Sequence, residues 1–260
     1  MPRLLASALL LAATLLAGCG TTVVNPVTGQ SERTVMDERT ELAEGKKAHG
    51  EVLKEYGVYP DPKLQAYVNG VGQKLAAQSH RAGITWTFTV LDSPEVNAFA
   101  LPGGYVYITR GLLALAQNEA ELASVLGHEM GHADLRHSTR QMTQMFGVQI
   151  LLDVLAGDRD ALKQVTGALV GLKFSRNHEI EADERSVHYL CPTDYDAAGG
   201  SGFFQKIQAL GGGRQPEFLS THPDPGNRIE NFQNNKVTKA CQGKELYAIE
   251  YKAMLAKLPK

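Results

Sequence analysis

The stretch His128-Glu129-Met130-Gly131-His132 has the form H-E-x-x-H. On a helix, residues four apart project from one face, so both imidazoles can reach a single metal ion. Zinc suits such a site because it accepts neutral imidazole nitrogens, and a catalytic zinc keeps one position open to water. Glu129 lies about 100° round the helix from His128, where it can accept a proton from that water. We predict a single Zn²⁺ per chain, bound by His128 and His132, with Glu129 as the general base.

The residues before this stretch predict that it lies inside a helix. Asn118 stands three residues before Glu121, as an N-cap stands before its capping-box partner. Apolar residues continue the pattern of a buried helix at Leu122, Val125 and Leu126. Burying two histidines and a glutamate without a metal would leave polar groups unsatisfied. A metal site is therefore favoured over a solvent-exposed face with two incidental histidines.

A third metal ligand has to come from elsewhere in the chain. The metzincin extension would need glycine at 135 and histidine at 138, and the chain has Leu135 and Ser138, so that class is excluded. His137 falls on another side of the extended helix, and we expect a surface or capping histidine there.

The segment Glu179-Ile180-Glu181-Ala182-Asp183 supplies better candidates. Glu179 and Asp183 share one helical face, as the two histidines do. We predict that Glu179 is the third ligand and that Asp183 accepts the far N–H of His128, which fixes the tautomer of that ring. Glu181 is offset by about 200° and is expected to face away. Singly, each acidic residue could be a solvated helix charge; their joint occurrence after H-E-x-x-H favours the metal site.

The rest of the sequence predicts an α+β fold that is mainly helical. Helical spacing of apolar residues covers 36–56, 61–79, 139–172 with a break at Gly157-Asp158, and 176–190. Residues 84–90 alternate between apolar side chains and threonine, which predicts a half-buried strand.

A small β-sheet is predicted beside the metal helix. Two strands flank the turn Pro102-Gly103-Gly104: residues 105–108 and the segment Asn97, Ala98, Phe99, Ala100 and Leu101. If residues 97–101 form the rim of the sheet, they can pair with the backbone of an extended substrate. The alternative is an ordinary core hairpin.

The N-terminus carries the marks of a secretion signal. Arg3 is followed by an apolar run to Leu16 and then by the tetrad Leu16-Ala17-Gly18-Cys19. The run is too short to cross about 30 Å of hydrocarbon, and a charged start, an apolar middle and small residues mark a removable peptide. The tetrad resembles the lipobox of bacterial lipoproteins. We predict a signal peptide over 1–18 and lipidation of Cys19; the alternative is an ordinary signal peptide with an incidental cysteine.

The residue after Cys19 predicts the location. Gly20 directs such lipoproteins to the outer membrane, where this one would face the periplasm. Two or more acyl chains anchor stably, so no transmembrane helix is needed. Turn signals such as Asn25-Pro26 predict a flexible, lipid-anchored tether over 19–33. Residues 34–260 are expected to form one zinc metalloprotease domain.

The other two cysteines indicate the redox compartment, and the net charge bears on nucleic-acid binding. Cys191 and Cys241 are predicted to form a disulfide in an oxidising compartment, with two buried free thiols as the alternative. The formal net charge is −2, and no basic stripe is present. Nucleic-acid binding is therefore not expected.

The motifs together resemble a known family. The H-E-x-x-H stretch, followed by Ser175-Arg176-Asn177-His178-Glu179-Ile180-Glu181-Ala182-Asp183, is similar to gluzincin peptidases. This family includes the CAAX prenyl protease, the membrane protease HtpX, the mitochondrial Oma-type proteases, and the periplasmic BepA and LoiP. Residues 97–104 and Thr221-His222-Pro223 also look like recurrent family segments.

The resemblance implies a zincin-like domain that cleaves unfolded or misassembled proteins in the cell envelope. The membrane helices of the prenyl protease and HtpX are missing from the pattern, so a prenylated substrate is not expected. Because the chain ends soon after Arg228, we expect no helical-repeat domain like that of BepA and the greatest similarity to small lipoprotein members. The assembly machinery of outer-membrane proteins is a candidate partner.

Two points stay open. His222 could donate to the oxyanion that forms on the substrate, could ligate the zinc and inhibit the resting enzyme, or could be a surface-loop histidine without a role.

The rival functions are a non-catalytic, zinc-stabilised chaperone or assembly factor for outer-membrane proteins, and a hydrolase of small peptides or peptidoglycan cross-links. A closed structural zinc site would not need Glu129.

Overall fold

A computed structural model describes residues 21–34, 36–145, 153–154, 156–210, 216–223 and 226–258. The predicted signal peptide over 1–18 and the predicted lipidation site Cys19 lie outside the described residues. The described strands are β1 Thr21–Val24, β2 Ser31–Thr34, β3 Thr87–Leu91, β4 Ala98–Leu101 and β5 Tyr105–Thr109. The described helices are α1 Glu38–Tyr56, α2 Pro62–Ala76, α3 Arg110–Leu115, α4 Glu119–Asp134, α5 His137–Met145, α6 Arg159–Val170, α7 Arg176–Leu190, α8 Gly200–Ala209, α9 Glu217–Thr221, α10 Arg228–Thr238 and α11 Ala248–Met254, followed by a 3-10 turn over Leu255–Lys257.

The predicted fold class, mainly helical with a small sheet, is confirmed. Helices α1, α2 and α7 coincide with the predicted segments. The predicted break at Gly157-Asp158 is also present, since Gly157 has a φ of +93° and Asp158 caps α6 by accepting from Asp160 and Ala161 N–H. Among the described helices, none is both long and apolar enough to span a bilayer.

The metal-motif helix α4 runs through the middle of the domain, and each of its residues is buried. Asn118 accepts a hydrogen bond from Glu121 N–H, so the predicted cap is confirmed. The two ends of α4 are fastened by buried carboxylates. Glu119 accepts from the hydroxyl groups of Tyr67 and Tyr195, and Asp134 accepts from the hydroxyl groups of Ser79 and Tyr189 and from the backbone N–H of His80. These contacts hold the helix that carries H-E-x-x-H at a fixed place in the core.

The three-stranded sheet has the order β3-β5-β4. Strand β4 pairs antiparallel with β5, with Phe99 opposite Tyr107, and β3 pairs parallel with β5. The turn between β4 and β5 contains Gly103 and Gly104, each with a φ of +88°. Such a φ strains other residues, so glycines fit the turn. The predicted strand pair is confirmed, and β4 lies at the edge of this sheet.

The strand predicted over 84–90 begins later than expected. Strand β3 starts at Thr87, and Thr89, expected on a solvent face, is buried. The reason is that both faces of the sheet are covered. Ala98 and Ala100 belong to the apolar cluster shared with α2 and α4, whereas Phe99 and Leu101 belong to the cluster shared with α1 and α6.

The described residues of the predicted flexible tether form a docked hairpin instead. Strands β1 and β2 pair antiparallel, with Thr21 opposite Thr34. Asn25 is fully buried: its side-chain oxygen accepts from Val27 N–H, and its amide group donates to the carbonyl of Leu135. The turn signals at Asn25-Pro26 were correct, but the buried amide makes this segment part of the domain.

Candidate metal centre

Three elements bring four possible metal ligands together. His128 and His132 on α4, Glu179 on α7 and His222 after α9 offer ligand atoms that lie within 4.8 Å of one another. The Nε2 atoms of the two α4 histidines are 3.1 Å apart. Glu179 lies 3.4 Å from each of them, through Oε2 to His128 and Oε1 to His132. The four residues are fully or almost fully buried.

The close approach of α4 and α7 depends on two glycines. Gly127 and Gly131 are one helical turn apart on the face of α4 that meets α7. A Cβ on Gly131 would lie 3.0 Å from the carbonyl oxygen of Ala182, and one on Gly127 would lie 3.0 Å from Oγ of Ser186. Ser175 caps α7 by accepting from His178 N–H. This packing places Glu179 beside the histidines.

The residues present fit a divalent metal ion. Two imidazole nitrogens and a carboxylate are the ligand set of many catalytic zinc sites. Burial holds the pKa of His132 well below its usual range, so this ring is neutral, as a metal ligand has to be. Burial acts to raise the pKa of Glu179, but His222 and His128 hold it well below its usual range, so the carboxylate is ionised. The donor chemistry therefore matches a metal site.

His128 is in a more polar environment than His132. Burial and the Arg228 guanidinium act to lower the pKa of His128, but Glu179 and Asp183 outweigh them and raise it to about 9. Without a metal, His128 is therefore protonated at neutral pH. Metal binding at this site would have to release a proton.

Glu129 lies beside the cluster. It is buried, and neither carboxylate oxygen accepts a hydrogen bond from a described residue. Nε2 of His222 lies 3.5 Å from Oε1. Burial, partly offset by His222 and His128, raises the pKa of Glu129. A carboxylate with a raised pKa is better suited to accept and return a proton near neutrality.

Asp183 lies against His128, and an arginine that sequence reasoning missed lies beside both. Asp183 Oδ1 lies 2.8 Å from Nδ1 of His128. Arg228 donates to both oxygens of Asp183, at 2.8 and 2.6 Å. Its guanidinium also pairs with Glu179 and lies 3.6 Å from the ring centre of Phe204. The available signal was weak: a cation in the first turn of a helix is unfavourable for the helix dipole and therefore suggests a specific partner.

The expectation that His137 lies on the surface is wrong. The residue is fully buried, and its Nδ1 lies 2.9 Å from Nδ1 of His132. Glu181 is exposed and points away from the cluster, as predicted, but its carboxylate lies 2.9 Å from Nε2 of His137. Helical periodicity failed here because α4 ends at Asp134, and Arg136, with a φ of +58°, turns the chain before α5 begins.

His222 also lies inside the site and not on a surface loop. Its backbone N–H donates to the carbonyl of Phe218, and its ring stacks on Phe218 with centroids 4.5 Å apart. Nδ1 lies 3.2 Å from Glu179 Oε1 and 3.3 Å from His128 Nε2. The interpretation of His222 as a surface residue without contact to the site is therefore wrong.

Strand β4 lies close to the same elements. Ala98 and Ala100 share an apolar cluster with α4, and Val96, just before the strand, accepts a hydrogen bond from Phe218 N–H of α9 at 3.0 Å. The segment that ends at His222 is thus tied to the start of residues 97–101.

The two cysteines lie at the far ends of the ligand helix and of the arginine helix. Cys191 is the C-cap of α7, and Cys241 follows α10. Their Cα atoms are 4.8 Å apart, and their sulfur atoms are at bonding distance. The geometry is compatible with the predicted disulfide.

Comparison with known proteins identifies the family. A family model described as "Peptidase family M48" matches residues 62–236. "Mitochondrial metalloendopeptidase OMA1" of Arabidopsis thaliana is 36% identical over 177 residues, which covers 67% of this chain and 36% of the relative. "Beta-barrel assembly-enhancing protease" of Escherichia coli (strain K12) is 30% identical over 190 residues, 67% of this chain and 39% of the relative. OMA1 of Schizosaccharomyces pombe is 31% identical over 195 residues, which covers 72% of this chain and 58% of the relative.

The chain thus spans between about a third and three fifths of the length of these relatives. The resemblance to Oma-type proteases and to BepA is confirmed by these matches. Because the family model covers more than half of the sequence, including both ligand helices, the chain belongs to peptidase family M48.

Proposed function

We propose that this chain is a zinc-dependent endopeptidase. The observation that carries the proposal is the Glu129 carboxylate, buried beside the four candidate ligand residues with neither oxygen hydrogen-bonded to a described residue. A structural zinc site, closed by four protein ligands, has no use for such a group. A general base that acts on water needs to be free of other partners and close to the metal ligands.

Each residue of the site then has a defined task. His128, His132 and Glu179 would hold the zinc, which when bound polarises the scissile carbonyl and lowers the pKa of a water molecule. Glu129 takes a proton from the attacking water and passes it to the leaving amine. Asp183 keeps the proton of His128 on Nδ1, which leaves Nε2 directed at the cluster.

His222 is assigned to one of two roles, and its contacts favour the inhibitory one. Its ring approaches Glu179 and His128 at hydrogen-bond distance, so it lies within the ligand set itself. As a fourth ligand it would close the position that water needs. The other role is donation to the substrate oxyanion, which is worth about 3–4 kcal/mol in comparable sites. His222→Ala raises turnover in the first case and lowers it, with metal retained, in the second.

The substrate is proposed to be an extended, unfolded or misassembled protein. Strand β4 is at the edge of its sheet, and its residues Ala98 and Leu101 pair with β5 on one side. Addition of a substrate strand on the other side would use backbone hydrogen bonds and would require no fixed sequence. A purely structural role for residues 97–101 remains the alternative, and substitution of Ala100 by proline separates the two through the KM for unfolded substrates.

The cell envelope is the proposed setting. The sequence supports it through the predicted signal peptide over 1–18, the predicted lipidation of Cys19 and the pair Cys191 and Cys241. One relative is named for enhancing β-barrel assembly, which is in keeping with quality control of outer-membrane proteins and with their assembly machinery as a partner. We place the protein on the periplasmic face of the outer membrane, held by lipid.

Two rival functions are tested by the same assay. Purified protein is incubated with an unfolded protein, with and without a chelator, beside Glu129→Gln. We expect cleavage by wild type alone, loss of cleavage in Glu129→Gln with zinc still near one per chain, and loss of zinc in Glu179→Ala. Undiminished cleavage by Glu129→Gln would refute the role of Glu129 as the general base. Aggregation suppressed without cleavage would favour the chaperone, and cleavage only of short peptides or peptidoglycan cross-links would favour the small-substrate hydrolase.

A further inference from the structure

His132 has a second ring nitrogen whose contact the peptidase chemistry does not use. Its Nδ1 lies 2.9 Å from Nδ1 of His137, which is fully buried. The other nitrogen of His137, Nε2, lies 2.9 Å from Oε2 of Glu181, a side chain that is 48% exposed. The three groups form a continuous chain from the metal cluster to the protein surface.

A single arrangement of ring protons satisfies this chain. Nε2 of His132 faces the cluster, 3.4 Å from Glu179 Oε1, and needs its lone pair there to bind a metal. A neutral imidazole then carries its proton on Nδ1, and that N–H donates to the lone pair on Nδ1 of His137. His137 in turn carries its own proton on Nε2 and donates it to the Glu181 carboxylate. Each nitrogen therefore has one role.

Stacked rings hold both imidazoles in this orientation. Phe174 lies over His132 with centroids 3.8 Å apart and planes inclined by 20°. His178 lies over His137 with centroids 4.2 Å apart and planes inclined by 14°. Packing therefore fixes the ring planes, while the hydrogen bonds fix which nitrogen carries the proton.

We propose that His137 and Glu181 are positioning residues, which hold His132 as the Nδ1–H tautomer and so strengthen its binding to the metal. The proposal rests on the metal site of the proposed function. Ligand histidines commonly donate their far N–H to a carboxylate, a carbonyl or water, and loss of such a partner weakens metal binding. Here a second histidine stands between the ligand and the carboxylate, which moves the negative charge from the cluster to the protein surface.

Variants separate the hydrogen bonds from the packing. His137→Phe keeps a planar ring against His178 and removes both bonds. His137→Asn places an amide oxygen close to the position of Nδ1, so that it can still accept from His132. Glu181→Ala removes the last acceptor. The matched control is Glu184→Ala, because Glu184 is an exposed glutamate on the same helix.

The first readout is the zinc affinity of the full-length protein, measured by competition with a chromophoric chelator. We expect zinc binding to weaken about 10- to 100-fold in His137→Phe, about threefold in His137→Asn, about three- to tenfold in Glu181→Ala and less than about twofold in Glu184→Ala. Equal affinities for wild type and His137→Phe, or for His137→Phe and His137→Asn, would overturn the proposal. If His137→Phe does not fold, the comparison of Glu181→Ala with Glu184→Ala decides, and equal affinities there overturn it.

The second readout is the proton position. In the zinc-loaded protein, the ring ¹⁵N spectrum of His132 is expected to show a slowly exchanging Nδ1–H in wild type and fast exchange in His137→Phe. Protection that does not change would contradict the assignment. Both readouts are independent of peptide hydrolysis. Wild type that binds zinc but cleaves nothing would defeat the proposed activity and leave the affinities to decide on His137, whereas failure of wild type to bind zinc would overturn both.

Discussion

The two histidines of α4 are one helical turn apart, but the protein supports their far nitrogens in different ways. His128 meets a buried carboxylate, Asp183, which is itself held by two hydrogen bonds from Arg228. His132 meets a neutral histidine, His137, and the carboxylate behind it is exposed. We call the first set, Asp183 and Arg228, the charged support.

The difference predicts how each side responds to damage. In the charged support, an ion pair is enclosed in the core, so removal of one partner leaves an uncompensated buried charge. On the His132 side, the carboxylate that accepts from His137 is that of Glu181 at the surface, where water can solvate it. We therefore expect changes in the charged support to lower both folding stability and metal affinity, and changes at His137 or Glu181 to act mainly on metal affinity.

Removal of Arg228 is expected to have the largest effect. Arg228→Met removes a cation that pairs with the buried carboxylates of Asp183 and Glu179 and leaves them only the protonated His128. Loss of one partner from a buried ion pair costs about 3–5 kcal/mol. The measurement is the free energy of unfolding of the metal-free protein in urea. The control is Arg110→Met, because Arg110 pairs with Asp92 at the surface, where an ion pair is worth less than about 1 kcal/mol. Equal losses in the two variants would remove the basis of the comparison.

Opening the link between Cys191 and Cys241 is expected to have the next largest effect. The disulfide would join the end of α7 to the segment after α10. Helix α7 carries Asp183, and helix α10 begins at Arg228. A disulfide of this kind stabilises by about 2–4 kcal/mol, chiefly through the unfolded state. We expect Cys191→Ser with Cys241→Ser to lower unfolding free energy by that amount and to leave the His132 tautomer signal unchanged. Two free thiols titrated in unfolded, unreduced protein from the periplasm would show that the bond does not form.

The third prediction isolates metal affinity within the charged support. Asp183→Ala removes the acceptor of His128 Nδ1–H and should weaken zinc binding about 10- to 100-fold, whereas Glu179→Ala should remove zinc outright. Zinc content after mild chelation, measured beside wild type, separates the two. Equal zinc occupancy in Glu179→Ala and wild type would refute the ligand assignment. If Asp183→Ala and Glu181→Ala weaken binding equally, the exposed carboxylate supports its ligand as well as the buried one does.

Of the charged support, Asp183 could be predicted from the sequence, whereas Arg228, and His137 on the other side, could not. The spacing of His128 and His132, and that of Glu179 and Asp183, is set by helical geometry, which is a local property. Arg228 and His137 reach the site through contacts between elements. His137 was assigned by extending the periodicity of α4, but the chain leaves that helix at Leu135 and turns at Arg136.

The prediction of a flexible tether over residues 19–33 failed for a similar reason. The polar composition and turn residues of this segment are typical of a tether, and such residues are also those of a hairpin turn. The buried hydrogen bond from Asn25 to Leu135 decides between the two, and it joins residues 110 positions apart. A contact of that separation leaves no periodic pattern in the sequence.

The smallest expected effect concerns His188. This residue is on α7 with Asp183 and Glu181, but it belongs neither to the charged support nor to the pair of His137 and Glu181. Burial, together with the nearby side chains of Arg185 and His80, lowers the pKa of His188 to about 4. The ordinary value is about 6.5, so between these two values the unfolded chain binds a proton here and the folded protein does not. Folding stability from this residue is therefore complete above pH 6.5 and is lost as the pH falls towards 4. We expect His188→Gln to lose less stability than wild type between pH 7 and pH 5 in urea unfolding of the metal-free proteins, with unchanged zinc affinity at pH 7. Parallel pH curves for the two proteins would contradict the lowered pKa. A change in zinc affinity would mean that α7 couples this half-buried histidine to the metal site, so that the surroundings of His128 and of His132 could no longer be treated as separate.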